Sequence, residues 1–88
     1  MHKYLCHCCG YKTLDKPLGS HAICPICFWE DDKEAVEFPF DAGSKISLFD
    51  AQSNYIKYGA SDEKYISKVR KPNENDIKDY NWERLREI

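Results

Sequence analysis

The sequence predicts a small α+β fold in which two β-hairpin turns hold one metal ion and two or three short α-helices follow. Three observations carry that prediction: two Cys-x-x-Cys pairs within the first 27 residues, short strand-like segments on either side of them, and helix caps and stops in the second half. The 88 residues are expected to form a single domain, with 1–32 as the metal-binding part and 33–88 as a loop and helical part. A chain of this size buries only about 60% of the surface its unfolded form exposes, so its core is thin and a staple is expected.

The pairs are Cys6 with Cys9, in Cys6-His7-Cys8-Cys9-Gly10, and Cys24 with Cys27, in Cys24-Pro25-Ile26-Cys27. Two residues between thiols is the spacing at which a tight turn aims both sulfurs at one ion, and two such turns complete a tetrahedral thiolate set. The 14 residues between the pairs fall one short of the usual range for paired zinc turns, a difference one hairpin residue absorbs. Gly10 suits the positive φ needed where the chain turns back after Cys9, and Pro25 pre-sets φ within the second turn. Tyr4-Leu5 with Tyr11-Lys12-Thr13-Leu14, and His21-Ala22-Ile23 with Phe28-Trp29, are the expected hairpin strands, joined by the loop Lys16–Ser20. The arrangement is that of a zinc ribbon, with one structural zinc ion on Cys6, Cys9, Cys24 and Cys27.

Compartment supports ligation over disulfides. No apolar run reaches the roughly 18 residues of a membrane span, and no secretory signal precedes Cys6, so a cytoplasmic chain is expected. Disulfides do not persist in a reducing cytosol, and five cysteines leave one over. Cys8 is that spare thiol, either turned outward and reactive or packed inward, the inert packing being favoured. His7 and His21 are weaker ligand candidates, because four thiols already fill a tetrahedral site.

Beyond Cys27 the chain reads Phe28-Trp29-Glu30-Asp31-Asp32, with Trp29 expected to pack on the ribbon and the acids to begin a solvated loop. Phe38-Pro39-Phe40-Asp41-Ala42-Gly43 reads as an irregular apolar loop lying on the core. Ser47 caps a helix that carries Leu48, Ala51, Gln52 and Tyr55 on one face and ends at Gly59. Ser61 is placed to cap a second helix that buries Tyr65, Ile66 and Val69 and stops before Pro72. After the linker-like Pro72-Asn73-Glu74-Asn75, an amphipathic stripe of Ile77, Tyr80, Leu85 and Ile88 predicts a last helix, with Trp82 off the stripe.

The order of these pieces resembles the bacterial cysteine-rich CPCC family. The matching residues are Cys6-His7-Cys8-Cys9-Gly10-Tyr11, Thr13-Leu14, Ile23 to Asp32, Ser47 to Tyr55 and Gly59-Ala60. His7 stands where the family name has proline, which loosens the first turn and keeps the ligands. The resemblance implies a zinc-ribbon-like head followed by helices in a bacterial cytoplasmic protein, with Glu30 and Asn54 in structural hydrogen-bonding roles, and it implies no reaction.

The formal charge of -2 is unevenly spread: residues 28–50 carry -5, whereas 51–72 carry +3. No acid and base paired in a cleft can be read, so a non-enzymatic protein is expected. The favoured function is a protein-interaction module, one form of which is a bacterial immunity protein that neutralises a toxin. Trp29, Glu30, Asp31, Asp32, Glu34 and Glu37 are then the partner surface, acids that steer a basic toxin face. Nucleic-acid binding through Lys57, Lys64, Lys68, Arg70 and Lys71 is disfavoured at a pI of 5.9. A redox or rubredoxin-like iron protein ranks third, lacking the βαβ pattern of CxxC oxidoreductases. No membrane partner is expected, and the oligomeric state is left open.

Overall fold

The structure, a computed structural model, describes residues 3–41 and 46–86. Strand β1 (Tyr4–Leu5) pairs antiparallel with β2 (Lys12–Leu14), matching Tyr4 to Leu14 and Leu5 to Lys12. That register leaves Thr13 as an extra residue on β2, a bulge of the kind that re-aims a side chain.

The expected second hairpin is reduced to one isolated bridge between Ile23 and Glu30. His21 and Phe28 take φ of 64° and 63°, and these left-handed residues interrupt the extended backbone on both sides of the turn. The chain leaves this turn through Asp31, whose N–H donates to Ala22 O at 2.8 Å. Asp31 is fully buried, a correction to the solvated loop read from the sequence. Its Oδ2 accepts from the Gly19 and Ser20 N–H groups at 2.6 and 3.1 Å, fastening the connecting loop to the second turn.

Helix α1 (Lys33–Glu37) occupies part of that expected loop. Asp32 caps it by accepting from Glu34 N–H at 3.0 Å, and Pro39 disfavours helical backbone at Phe38, which ends it. Phe38 and Phe40 are 61% and 52% exposed, so this apolar segment does not lie on the core; Phe40 instead meets Phe49 with ring centroids 5.1 Å apart. Ala42 and Gly43, the end of the expected loop, fall outside the described residues.

Helix α2 (Leu48–Tyr58) forms as its chemistry predicts. Ser47 Oγ accepts from Asp50 N–H at 3.0 Å, Gly59 adopts φ of 77°, and Leu48, Ala51 and Gln52 are buried. The next helix is a six-residue 3-10 turn, Glu63–Lys68, capped by Asp62 rather than Ser61. Ser61 is buried and donates its N–H to Cys27 O at 2.7 Å, so it ties the helical part to the second cysteine turn. Ile66 is exposed, against expectation, because the tighter 3-10 winding changes which side chains share a face.

The last helix does not form over the described residues 76–86. The segment runs as an irregular strap along the first cysteine turn, with Lys12 N–H on Ile77 O at 2.8 Å and Asp79 N–H on Gly10 O at 2.9 Å. Half-buried Trp82 donates its Nε1–H to His7 O at 2.9 Å, and Leu85 N–H donates to Gln52 Oε1 at 2.7 Å. Backbone pairing with β2's edge and an indole seat on Gly10 compete here with an isolated helix stripe, whose nucleation is unfavourable. No helix of the described residues is long and apolar enough to cross a membrane.

Candidate metal centre

The two cysteine turns are built alike. Gly10 N–H bonds back to Cys6 O at 2.9 Å and Cys6 N–H to Tyr11 O at 2.9 Å; Phe28 N–H bonds to Cys24 O at 2.8 Å and Cys24 N–H to Trp29 O at 3.1 Å. Each turn thus closes on itself through the same pair of main-chain bonds and holds two sulfurs on its inner side.

Cys6, Cys9, Cys24 and Cys27 bring their Sγ atoms within 4.8 Å of one another, all buried. Across the turns, Cys6 and Cys27 Sγ are 3.5 Å apart and Cys9 and Cys24 Sγ 3.8 Å. A tetrahedron with metal–sulfur bonds of about 2.3 Å has sulfur–sulfur edges of about 3.8 Å, so the donor set fits a single ion. None of the five cysteines is in a disulfide. Thr13, freed by the β2 bulge, places its hydroxyl 3.0 Å from Cys24 Sγ, a hydrogen bond that orients the sulfur.

Four sulfurs this close without a cation do not all carry charge. Hydrogen bonds from Cys27, Cys6 and Cys9, in that order, hold the Cys24 thiol well below its ordinary value, and Thr13 adds to them. Burial pushes the Cys6 and Cys27 thiols well up. A divalent cation removes that conflict by stabilising all the thiolates together.

The cluster is also the core. All five cysteines join Leu14, Ile26, Trp29, Leu48 and Ala51 in the buried apolar set. Cys8 is 1% exposed and packs inward, outside the group of four. His7 is not a member of that group either; its ring faces Trp29 at 6.3 Å between centroids. Burial lowers its basicity, opposed by the nearby charges of Asp31 and Asp79.

The chain matches the cysteine-rich CPCC family model over residues 4–76. It belongs to that family. Neither a curated protein nor a solved structure matches it. The family match takes in both cysteine turns, α1, α2 and the 3-10 helix, and it ends at residue 76, where the strap begins.

Of the residues read from the sequence as a partner surface, Trp29 and Asp31 are buried and present no side chain to a flat exterior. Their neighbours explain the difference: Trp29 belongs to the cysteine core, and Asp31 holds the Gly19–Ser20 loop. Glu34 and Glu37 on α1 are exposed, Asp32 is half-buried as the α1 cap, and half-buried Glu30 lies 3.1 Å from His21 Nδ1.

Proposed function

We propose that this CPCC-family chain is a non-enzymatic protein-interaction module organised by one structural zinc ion. The observation that carries the reading is the four-sulfur cluster: all four donors are buried, and their sulfurs lie within 4.8 Å of one another. Closed all-thiolate sets are structural, and zinc is the commonest ion in them. Zinc binding of about 10–16 kcal/mol is comparable with the whole stability of a domain this small, so ion binding and folding form one event.

What the ion organises is a surface, and on the α1 side that surface is acidic, with Glu30, Asp32, Glu34 and Glu37 following the second turn directly. Such a face steers basic protein partners. Neutralisation of a basic toxin is the concrete form we favour. The basic residues that would serve a nucleic acid are partly engaged: Arg70 pairs with Asp76, and Lys57 and Lys64 lie over the Tyr58 and Tyr65 rings.

Elemental analysis of the purified chain, with affinity capture from its host by metal-loaded and metal-stripped protein, tests the proposal. One zinc per chain and a protein partner held by the loaded form alone are expected. A folded chain without zinc overturns the metal assignment, and capture that ignores the metal overturns its role in presenting the surface.

A further inference from the structure

Between the second cysteine turn, α1 and the 3-10 helix lies an open groove of about 720 Å³. Its apolar lining includes Ile23, Phe38 and Ile46, which are 45%, 61% and 38% exposed. Exposed large apolar side chains gathered in one concavity mark an interaction site far better than the same residues scattered singly. Phe28 and Tyr65 form the far wall, with ring centroids 4.7 Å apart.

The rim gives the groove its sign. Glu30, Asp32, Glu34, Asp41, Asp50 and Asp62 line it, against one lysine, Lys64, among the described residues. The Lys64 ammonium lies 5.2 Å from the Tyr65 ring centroid. Asp32 and Asp62 are fixed by capping, accepting from Glu34 and Lys64 N–H groups at 3.0 and 3.1 Å. A groove with low-dielectric walls and one sign of charge focuses its field, and acids already held in place lose little freedom when a partner arrives.

We infer that this groove binds a basic polypeptide segment: Lys or Arg side chains on the acidic rim, and one aromatic or aliphatic side chain between them against Phe38, Ile23 and Ile46. Nucleic acid and anionic membrane are repelled by the same rim. The inference rests on the protein-interaction reading above and assigns the partner's chemistry to a particular face.

The test is selection of a random peptide library displayed on phage against the metal-loaded full chain at low ionic strength, followed by titration of synthetic copies of the enriched peptides. Enriched sequences carry net positive charge with an embedded aromatic or aliphatic residue. Their affinity falls at least about tenfold with Phe38→Ser and with Glu34→Lys, and it falls again at high salt. Both substitutions replace exposed side chains, so unchanged melting and metal content verify that the fold is kept. Enriched peptides that are neutral or acidic, or that bind both variants as tightly as the parent, overturn the groove and leave the broader interaction reading standing. Self-association of the chain lost in the same variants also overturns it, giving the groove to a second copy. No enriched peptide, together with no partner captured from the host, ends both readings.

Discussion

Gly10 and Phe28 stand at the same station of the two cysteine turns, each four residues after the first cysteine of its pair, at φ of 83° and 63°. Glycine takes that conformation freely, whereas a bulky residue pays roughly 1–3 kcal/mol for it. At Gly10 a second constraint applies, because an added Cβ would lie 2.6 and 2.7 Å from Trp82 ring carbons. Gly10→Ala is therefore expected to lower stability by about 2–4 kcal/mol, from backbone strain and a displaced indole. Phe28→Gly relieves strain and loses a ring contact with Tyr65 worth about 0.5–1.5 kcal/mol, so its net effect stays within about 1–2 kcal/mol. Equal losses in denaturant unfolding of the two metal-loaded variants would refute this asymmetry.

Asp31 is the buried anchor of the loop between the turns. Asp31→Ala strands the Gly19 and Ser20 N–H groups, and each charge-assisted bond lost is worth roughly 1.5–3 kcal/mol. We expect a total loss of about 3–6 kcal/mol, with faster proteolysis within residues 16–20 and one metal ion still bound. Limited proteolysis with mass-spectrometric mapping checks it; an unchanged cleavage pattern would remove the anchoring role.

What was legible in the sequence was local. The cysteine turns show in a two-residue spacing, and α2 in a serine cap, a repeating apolar face and a glycine stop, all within 13 residues. Asp31 reads as part of a solvated loop because the donors that hold its carboxylate lie 11 and 12 residues upstream, beyond any local pattern. The Asp32 cap and Pro39 stop of α1 were present in the sequence, and the acidic run hid them. The strap reads as a helix because Ile77, Tyr80 and Leu85 have helical spacing, whereas the pairing that decides their fate is with Gly10 and Lys12, more than 60 residues earlier.

Trp82 tests whether that strap supports the metal centre. The carbonyl of His7, inside the first turn, accepts from both Trp82 Nε1 at 2.9 Å and Gln52 Nε2 at 2.8 Å. Trp82→Phe keeps an aromatic ring on Gly10 and leaves Gln52 as donor, so about 0.5–1.5 kcal/mol is expected to be lost. Trp82→Ala also removes the packing and should cost about 2–4 kcal/mol, with a faster metal off-rate. Competition with a coloured chelator measures that rate; identical rates for Trp82→Ala and parent would confine the strap to a peripheral role.

Asp76 provides a pH test. Its hydrogen bonds from Arg70, at 2.8 and 2.9 Å, and then the Asn73 N–H at 2.7 Å favour the ionised form, so its carboxyl titrates lower folded than unfolded. The stabilisation is complete above the ordinary carboxylate value of about 4 and is lost only as pH falls through the lower folded value. Asp76→Asn should accordingly lower the melting temperature by the same amount at every pH from about 6 to 8, where the metal also stays bound. A difference that grows or shrinks across that window would mean that another group controls the brace.

Cys8 and Cys9 are adjacent, both buried and 1% exposed, and only Cys9 belongs to the four-sulfur group. Burial alone thus makes no distinction between them, and the position of the sulfur makes all of it. Cys9→Ala leaves three thiolates and an open coordination position, so metal affinity should fall by several orders of magnitude and the chain should unfold when a chelator is present. Cys8→Ala removes one packed sulfur, at about 1 kcal/mol or slightly more, and should still titrate with one metal ion per chain at parental affinity. Cobalt is a convenient probe, since its thiolate complex is coloured and its absorption reports the number of sulfurs bound. Matching cobalt spectra and affinities for the parent and Cys8→Ala, with a weakened and altered spectrum for Cys9→Ala, is the expected result. A Cys8→Ala spectrum altered as much as that of Cys9→Ala would place Cys8 among the ligands and require the third residue of one turn, not the first and fourth alone, to reach the ion.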